Sequence, residues 1–129
     1  MEHRLVAVYG SLREGLHNHR LLKNSECVGK GSVSGYGMYS LGGFPALTKL
    51  QDKCDVVVEV YSVDDNTMAR LDMLEGYPHY YNREQVAIHF GGEDGVESYT
   101  TAWMYYIDDT FDDSAFVKDG DWLKYYSGE

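Results

Sequence analysis

The stretch from Asp55 to Val63 constrains the fold most, because β-branched residues dominate it and it alternates with the two-residue period of a strand. Val56, Val58 and Val60 share one face, with Val57, Glu59 and Tyr61 on the other. Asp64 or Asp65 then caps a helix running to about Leu74, closed by Gly76 and Pro78.

The rest of the chain reads as further strands. Leu5-Val6-Ala7-Val8-Tyr9 is apolar at every position, as in a strand buried on both faces, and Gly10-Ser11 breaks it. Asn18 is placed to cap a short helix through Leu21 and Leu22. From Val28 to Leu41 scattered glycines, valines and tyrosines show no helical period, which predicts an irregular, bent strand ending at the turn Gly42-Gly43-Phe44-Pro45. Two more strands span Tyr81 to Phe90 and Tyr99 to Ile107, joined by a loop holding Gly91, Gly92 and Gly95. The tail from Asp108 is acidic and aromatic, with Trp122 as its anchor. Twelve tyrosines strengthen the β reading, since each offers a large ring and a hydroxyl suited to strands and cavity walls. The expectation is an α+β, mainly β domain over residues 1–129, a closed or partly open β-barrel with two short flanking helices.

Bulk properties exclude several classes. A chain of 129 residues with 43 % hydrophobic and 25 % charged residues is long enough for one core and ordinary enough to be globular. Eleven basic against twenty-one acidic residues leave a net charge of −10, which repels phosphate backbones and anionic membranes. No charged-then-apolar leader is present and no apolar run approaches the ~18 residues of a membrane span. Cys27 and Cys54 make no disulfide framework, so a reduced cytoplasmic protein is expected. His3, His17, His19, His79 and His89 lack metal-ligand spacing. Asp108, Asp109, Asp112, Asp113, Asp119 and Asp121 lack the glycine and terminal glutamate of a calcium loop, so they read as a solvated acidic face and no metal or cofactor is expected.

Two features can carry chemistry. Met68, Leu71 and Leu74 form the inward stripe of the helix, and Glu75 lies seven residues after Met68 and four after Leu71, over the same stripe. A carboxylate there is partly desolvated, which raises its pKa toward that of a useful general base or acid. Spacing alone leaves open a frayed terminal residue turned to water. Tyr9-Gly10-Ser11-Leu12 is the second: a buried strand ending there leaves backbone N–H groups without partners, and Gly10 has no side chain to block a ligand. Such groups bind carboxylates and oxyanions, although the turn is equally compatible with a purely structural role. Asp72, one turn before Glu75, is either a second carboxylate or a group facing the rim or bonding nearby backbone.

Val8-Tyr9-Gly10-Ser11-Leu12-Arg13 followed by Asn18-His19-Arg20-Leu21-Leu22 resembles the opening of the gamma-glutamylcyclotransferase superfamily, most closely its short gamma-glutamylamine cyclotransferase and AIG2-like members. Gly42-Gly43-Phe44-Pro45-Ala46-Leu47, Glu59-Val60-Tyr61, Leu71-Asp72-Met73-Leu74-Glu75-Gly76-Tyr77-Pro78 and Tyr81-Asn82-Arg83 agree in order, and the similarity extends to Gly120-Asp121-Trp122. The resemblance implies a small β-barrel with a cavity at one end. It implies Glu75 as the proton-transfer residue and Tyr9, Gly10, Ser11 and Leu12 as the binder of the substrate part that becomes 5-oxoproline. Tyr81 and Tyr105 fall where family members place aromatics near the cavity, a position that also suits core packing. The implied partner is a small gamma-glutamyl amide, with no cofactor. Val58 replaces a glycine frequent in the family before Glu-Val-Tyr, which is expected to narrow the barrel. Short members vary around the cavity mouth, so the leaving amine is not carried over. Two rival readings share the fold: a non-catalytic binder of an amino acid derivative, and an acidic interaction protein using the Asp108–Asp121 cluster.

Overall fold

The structure, a computed structural model, describes residues 3–49, 55–91 and 97–126. Its centre is a closed barrel of five strands in the order β1-β5-β2-β6-β7, with a separate two-stranded hairpin, β3-β4. In chain order these are β1 His3–Val8, β2 Glu26–Ser34, β3 Tyr36–Ser40, β4 Pro45–Lys49, β5 Asp55–Asp64, β6 Asn82–Gly91 and β7 Glu97–Tyr106. Helix α1, Asp65–Glu75, follows β5 directly, and a short α2, Trp122–Tyr126, ends the described chain. β1 closes the barrel by pairing antiparallel with β5 and parallel with β7, where Val6 meets Trp103 and Ala7 meets Met104.

Both faces of β1 and β5 are buried because each covers a different core. Ala7, Val58 and Val60 pack with Ile88 and Met104 in one cluster. Val6, Val8, Tyr61 and Val63 pack with Met68 and Leu71 of α1 in another. Since α1 lies outside the barrel, the first cluster fills its interior. Val58 is fully buried opposite Gly31. A Cβ on Gly31 would stand 2.5 Å from the His89 carbonyl oxygen, so β2 and β6 touch only because glycine is there.

Three local expectations change. Asn18 caps nothing: a 3-10 turn over His17–Leu22 starts after Leu16, with no side-chain cap, and Asn18 lies inside it. The irregular segment from Val28 to Leu41 is two strands, divided at Gly35, whose φ is 89°. Pro45–Lys49, read only as the exit from a turn, is a strand, and proline is tolerated at its first position on a two-stranded edge. Cys27 is free and exposed. Cys54, Gly92 and Gly95 lie outside the described residues.

The tail seals the barrel beside the hairpin. Trp122 is 1 % exposed, within the interior cluster. Gly120 adopts φ 62°, and a Cβ there would sit 2.1 Å from the Asp55 carbonyl oxygen while its own carbonyl accepts from Val57 N–H at 2.8 Å. Alanine at 120 therefore meets both a left-handed backbone and a backbone clash. Gly120→Ala is expected to cost about 2–3 kcal/mol in urea denaturation; a loss below about 0.5 kcal/mol would mean that the tail is not seated this way.

Candidate functional site

The site begins at the end of α1. Asp64 accepts from Thr67 N–H at 2.8 Å to start the helix, and Gly76, at φ 67°, stops it while donating to the Asp72 and Met73 carbonyls. That left-handed stop suits glycine and makes Glu75 the last helical residue. Met68 and Leu71 are buried as the stripe requires, but Leu74 is 43 % exposed and does not belong to it. Glu75 instead enters a cavity of about 390 Å³. Burial pushes its carboxyl up from 4.5 to about 7, and desolvation is the whole cause. Among the described residues no donor bonds it.

The turn after β1 lines the same cavity. Gly10 lets Pro45 approach, since a Cβ there would lie 2.9 Å from Pro45 Cγ. Three carbonyls of the turn are occupied: Gly10 accepts from Arg13 N–H at 2.9 Å, Ser11 from Asn18 N–H at 3.0 Å, and Leu12 from His19 Nδ1 at 2.9 Å. Asn18 Nδ2 also donates to Ser11 Oγ at 2.8 Å. The N–H groups of Gly10, Ser11 and Leu12 have no acceptor among the described residues. Gly10, Ser11 and Leu12 line the cavity, with their carbonyls bonded within the protein and their N–H groups left available as donors.

Arg13, 1 % exposed, anchors that turn from behind. Its Nε donates to Glu59 Oε2 and its Nη1 to Asp121 Oδ1, each at 2.8 Å. Glu59 Oε1 accepts from Glu14 N–H and Tyr61 OH as well. Burial works against the Glu59 charge, but these donors together hold its carboxyl below the usual range. Arg13 therefore ties β1's exit to β5 and to the tail.

Tyr9, Tyr81 and Tyr105 complete the cavity, and each hydroxyl is committed to the protein. Tyr9 OH donates to the Tyr105 carbonyl at 2.8 Å, Tyr81 OH to the Pro45 carbonyl at 3.1 Å, and Tyr105 OH to Asp72 Oδ1 at 2.7 Å. Burial raises all three phenols above their ordinary value; the Asp72 bond raises Tyr105 further, and the neighbouring Glu75 charge adds to each. Asp72 bonds Arg83 Nε at 2.9 Å and Tyr105, side chains rather than backbone, and does not line the cavity. That sets aside the cavity carboxylate and the backbone bond, and leaves Asp72 facing the barrel rim, where Arg83 and Tyr105 pair near the ends of β6 and β7. Arg83 lies 4.5 Å from the ring centres of both Tyr77 and Trp103, which fixes this ion pair and with it the last turn of α1.

Of the residues singled out from the sequence, Tyr9, Gly10, Ser11, Leu12, Glu75, Tyr81 and Tyr105 line this cavity and Asp72 does not. Sequence reasoning missed Arg13 and the inward role of Asn18, as well as Phe44 and Tyr80 at the cavity edge. Arg13, Asn18 and Phe44 stand within the shared motifs and Tyr80 directly before one, which was the available signal. No group of three His, Cys, Asp or Glu side chains that could hold a metal occurs among the described residues. Nor is any helix among them long and apolar enough to cross a membrane.

A cavity beside the barrel that is lined by an unbonded carboxyl and by residues with unpartnered amides is suited to a small polar molecule. The chain belongs to the gamma-glutamyl cyclotransferase, AIG2-like family, which it matches over residues 6–124. A provisionally named gamma-glutamylcyclotransferase of Methanocaldococcus jannaschii is 38 % identical over 122 residues, covering 93 % of this chain and 96 % of that one. The gamma-glutamylcyclotransferase family protein YtfP of Escherichia coli is 32 % identical over 118 residues, 92 % of this chain and 95 % of its own length. The crystal structure of a mouse AIG2-like protein shares the fold with a TM-score of 0.77 at 21 % identity, covering 95 % of this chain and 89 % of that one.

Proposed function

We propose that this protein is a gamma-glutamylcyclotransferase that closes the gamma-glutamyl group of a small gamma-glutamyl amide into 5-oxoproline and releases the amine, with the cytoplasm as its setting. The observation that carries the reading is Glu75: a carboxyl with no bonding partner among the described residues, brought to about 7 by burial, in the same cavity as the Gly10–Leu12 amides.

The substrate's α-amine attacks its own side-chain carbonyl carbon. An α-amine has a pKa of about 7.7–8.0, so near neutrality it arrives largely as an ammonium. Glu75 takes a proton from it as the new C–N bond forms. The carbonyl oxygen becomes an oxyanion that the turn's N–H groups are suited to stabilise. As the tetrahedral intermediate collapses, the original C–N bond breaks and Glu75 returns the first proton to the departing nitrogen. Glu75 then passes it the second proton that the attacking nitrogen sheds, so the lactam keeps one N–H and the amine leaves as an ammonium. The step is redox-neutral and balances without a co-reactant. Holding the glutamyl chain folded lowers the barrier by several kcal/mol, because attack is intramolecular.

Two measurements test this. Release of 5-oxoproline is expected from at least one member of a panel of gamma-glutamyl amines and dipeptides, and binding without turnover across the panel would leave only a binding protein. The profile of kcat/KM against pH is expected to be bell-shaped. Its acid limb has a midpoint near 7, where Glu75 protonates, and its alkaline limb lies near the α-amine value of about 7.7–8.0, where the proton destined for the leaving group is lost. A flat profile between about pH 6 and 8 would remove Glu75 from the proton transfer.

A further inference from the structure

Resting on the cyclisation reading, we infer that Asp72 is a positioning residue: bonded by Arg83 and Tyr105, it clamps the last turn of α1 to the barrel and so keeps the Glu75 carboxyl in the cavity. Asp72 stands one helical turn before Glu75, and its Oδ1 accepts from Arg83 Nε at 2.9 Å and from Tyr105 OH at 2.7 Å. Arg83 and Tyr105 are register partners on β6 and β7, so a single rung of the barrel supplies both donors. The Arg83 guanidinium is itself held, 4.5 Å from the ring centres of both Tyr77 and Trp103.

Apolar packing seats only the earlier part of α1. Met68 and Leu71 are buried, but beyond them Met73 and Leu74 are 83 % and 43 % exposed. From Asp72 to Glu75, the Asp72 side chain is the one bonded to another element among the described residues. Its backbone serves the same end, since Tyr77 N–H donates to the Asp72 carbonyl at 2.9 Å across the glycine stop. Tyr105 carries the clamp into the site: it lines the cavity, and its carbonyl accepts from Tyr9 OH at 2.8 Å. Asp72 does not line the cavity, so it acts on the chemistry through Glu75. Without the clamp the exposed last turn frays and water reaches the carboxyl, which then titrates closer to its ordinary 4.5 than to 7. A displaced proton-transfer group slows turnover more than it weakens binding.

Asp72→Asn and Asp72→Ala separate position from charge, because both remove the charge and only asparagine keeps an oxygen for Arg83 and Tyr105. Carbon NMR of labelled glutamate carboxyls follows the Glu75 midpoint, assigned by its loss in Glu75→Gln, and 5-oxoproline release gives kcat and KM. In Asp72→Asn the midpoint is expected to stay near 7. In Asp72→Ala it is expected to fall to about 6 or below, with kcat lower by about tenfold or more and KM within about threefold of the parent. An equal fall in both variants assigns the effect to the Asp72 charge and overturns the inference; a midpoint unmoved in Asp72→Ala overturns it too. Should Asp72→Ala not fold, Arg83→Lys takes its place, since lysine keeps the charge but not the planar guanidinium held against two rings. A smaller fall of the midpoint is expected there, and no fall overturns the inference. A midpoint that falls in Asp72→Ala with kcat intact upholds the clamp and overturns the cyclisation reading beneath it.

Discussion

Glu75→Gln is expected to lose turnover by about 10²–10⁴-fold while becoming more stable than the parent at neutral pH. The two effects share one cause. In the folded chain the Glu75 carboxyl titrates near 7 against an ordinary 4.5. Between those values the folded protein holds a proton that the unfolded chain has released. Stability therefore falls as pH rises from about 4.5 to 7 and stays reduced above it. Glutamine keeps the shape and carries no charge, so the variant escapes that loss. Allowing for water in the half-open cavity, the gain is about 2 kcal/mol above pH 7 and vanishes near pH 4. Urea denaturation of both proteins at the two pH values measures it. A variant that loses activity without gaining stability at pH 7.5 would mean that Glu75 is well solvated and that its pKa is ordinary.

Arg13→Ala is expected to be the most destabilising single change, at about 3–5 kcal/mol. Arg13 is the cation that both Glu59 and Asp121 bond at 2.8 Å, inside a site where the arginine itself is 1 % exposed. Removing it leaves two partly buried carboxylates facing each other without that cation. It also frees the exit of β1, so the donor-bearing turn loses its anchor and activity falls with stability. Neutralising the orphaned pair by adding Glu59→Gln and Asp121→Asn should recover part of the stability, because the penalty lies in the unpaired charges more than in lost attraction. A loss under about 1 kcal/mol in denaturant midpoint, or no recovery in the triple variant, would assign the triad a minor role.

The barrel was legible wherever one strand's residues declared two buried faces, as in Leu5–Tyr9 and Asp55–Val63. It was obscure where tertiary packing decided. Pro45–Lys49 is too short and follows too many turn residues to read as a strand, yet hairpin pairing with Tyr36–Ser40 makes it one. Asn18 has the chemistry of a cap, but Ser11 competes for its side chain and wins through a 2.8 Å bond. Leu74 fits a helical stripe by spacing, and only the position of the cavity mouth turns it outward. Helix spacing set Glu75 at the end of α1, and the glycine stop makes it the last helical residue, among those lining the cavity. The Arg13 triad was invisible for the opposite reason: its partners lie 46 and 108 residues away, and nothing local in the sequence links them.

The most direct test observes the Glu75 carboxyl itself. Carbon NMR of protein labelled at the glutamate side-chain carboxyls, with Glu75→Gln to assign the resonance, follows its chemical shift across pH. A midpoint near 7 is the result expected for a desolvated carboxyl in this cavity. A midpoint close to 4.5, as for a carboxylate in open water, would contradict it.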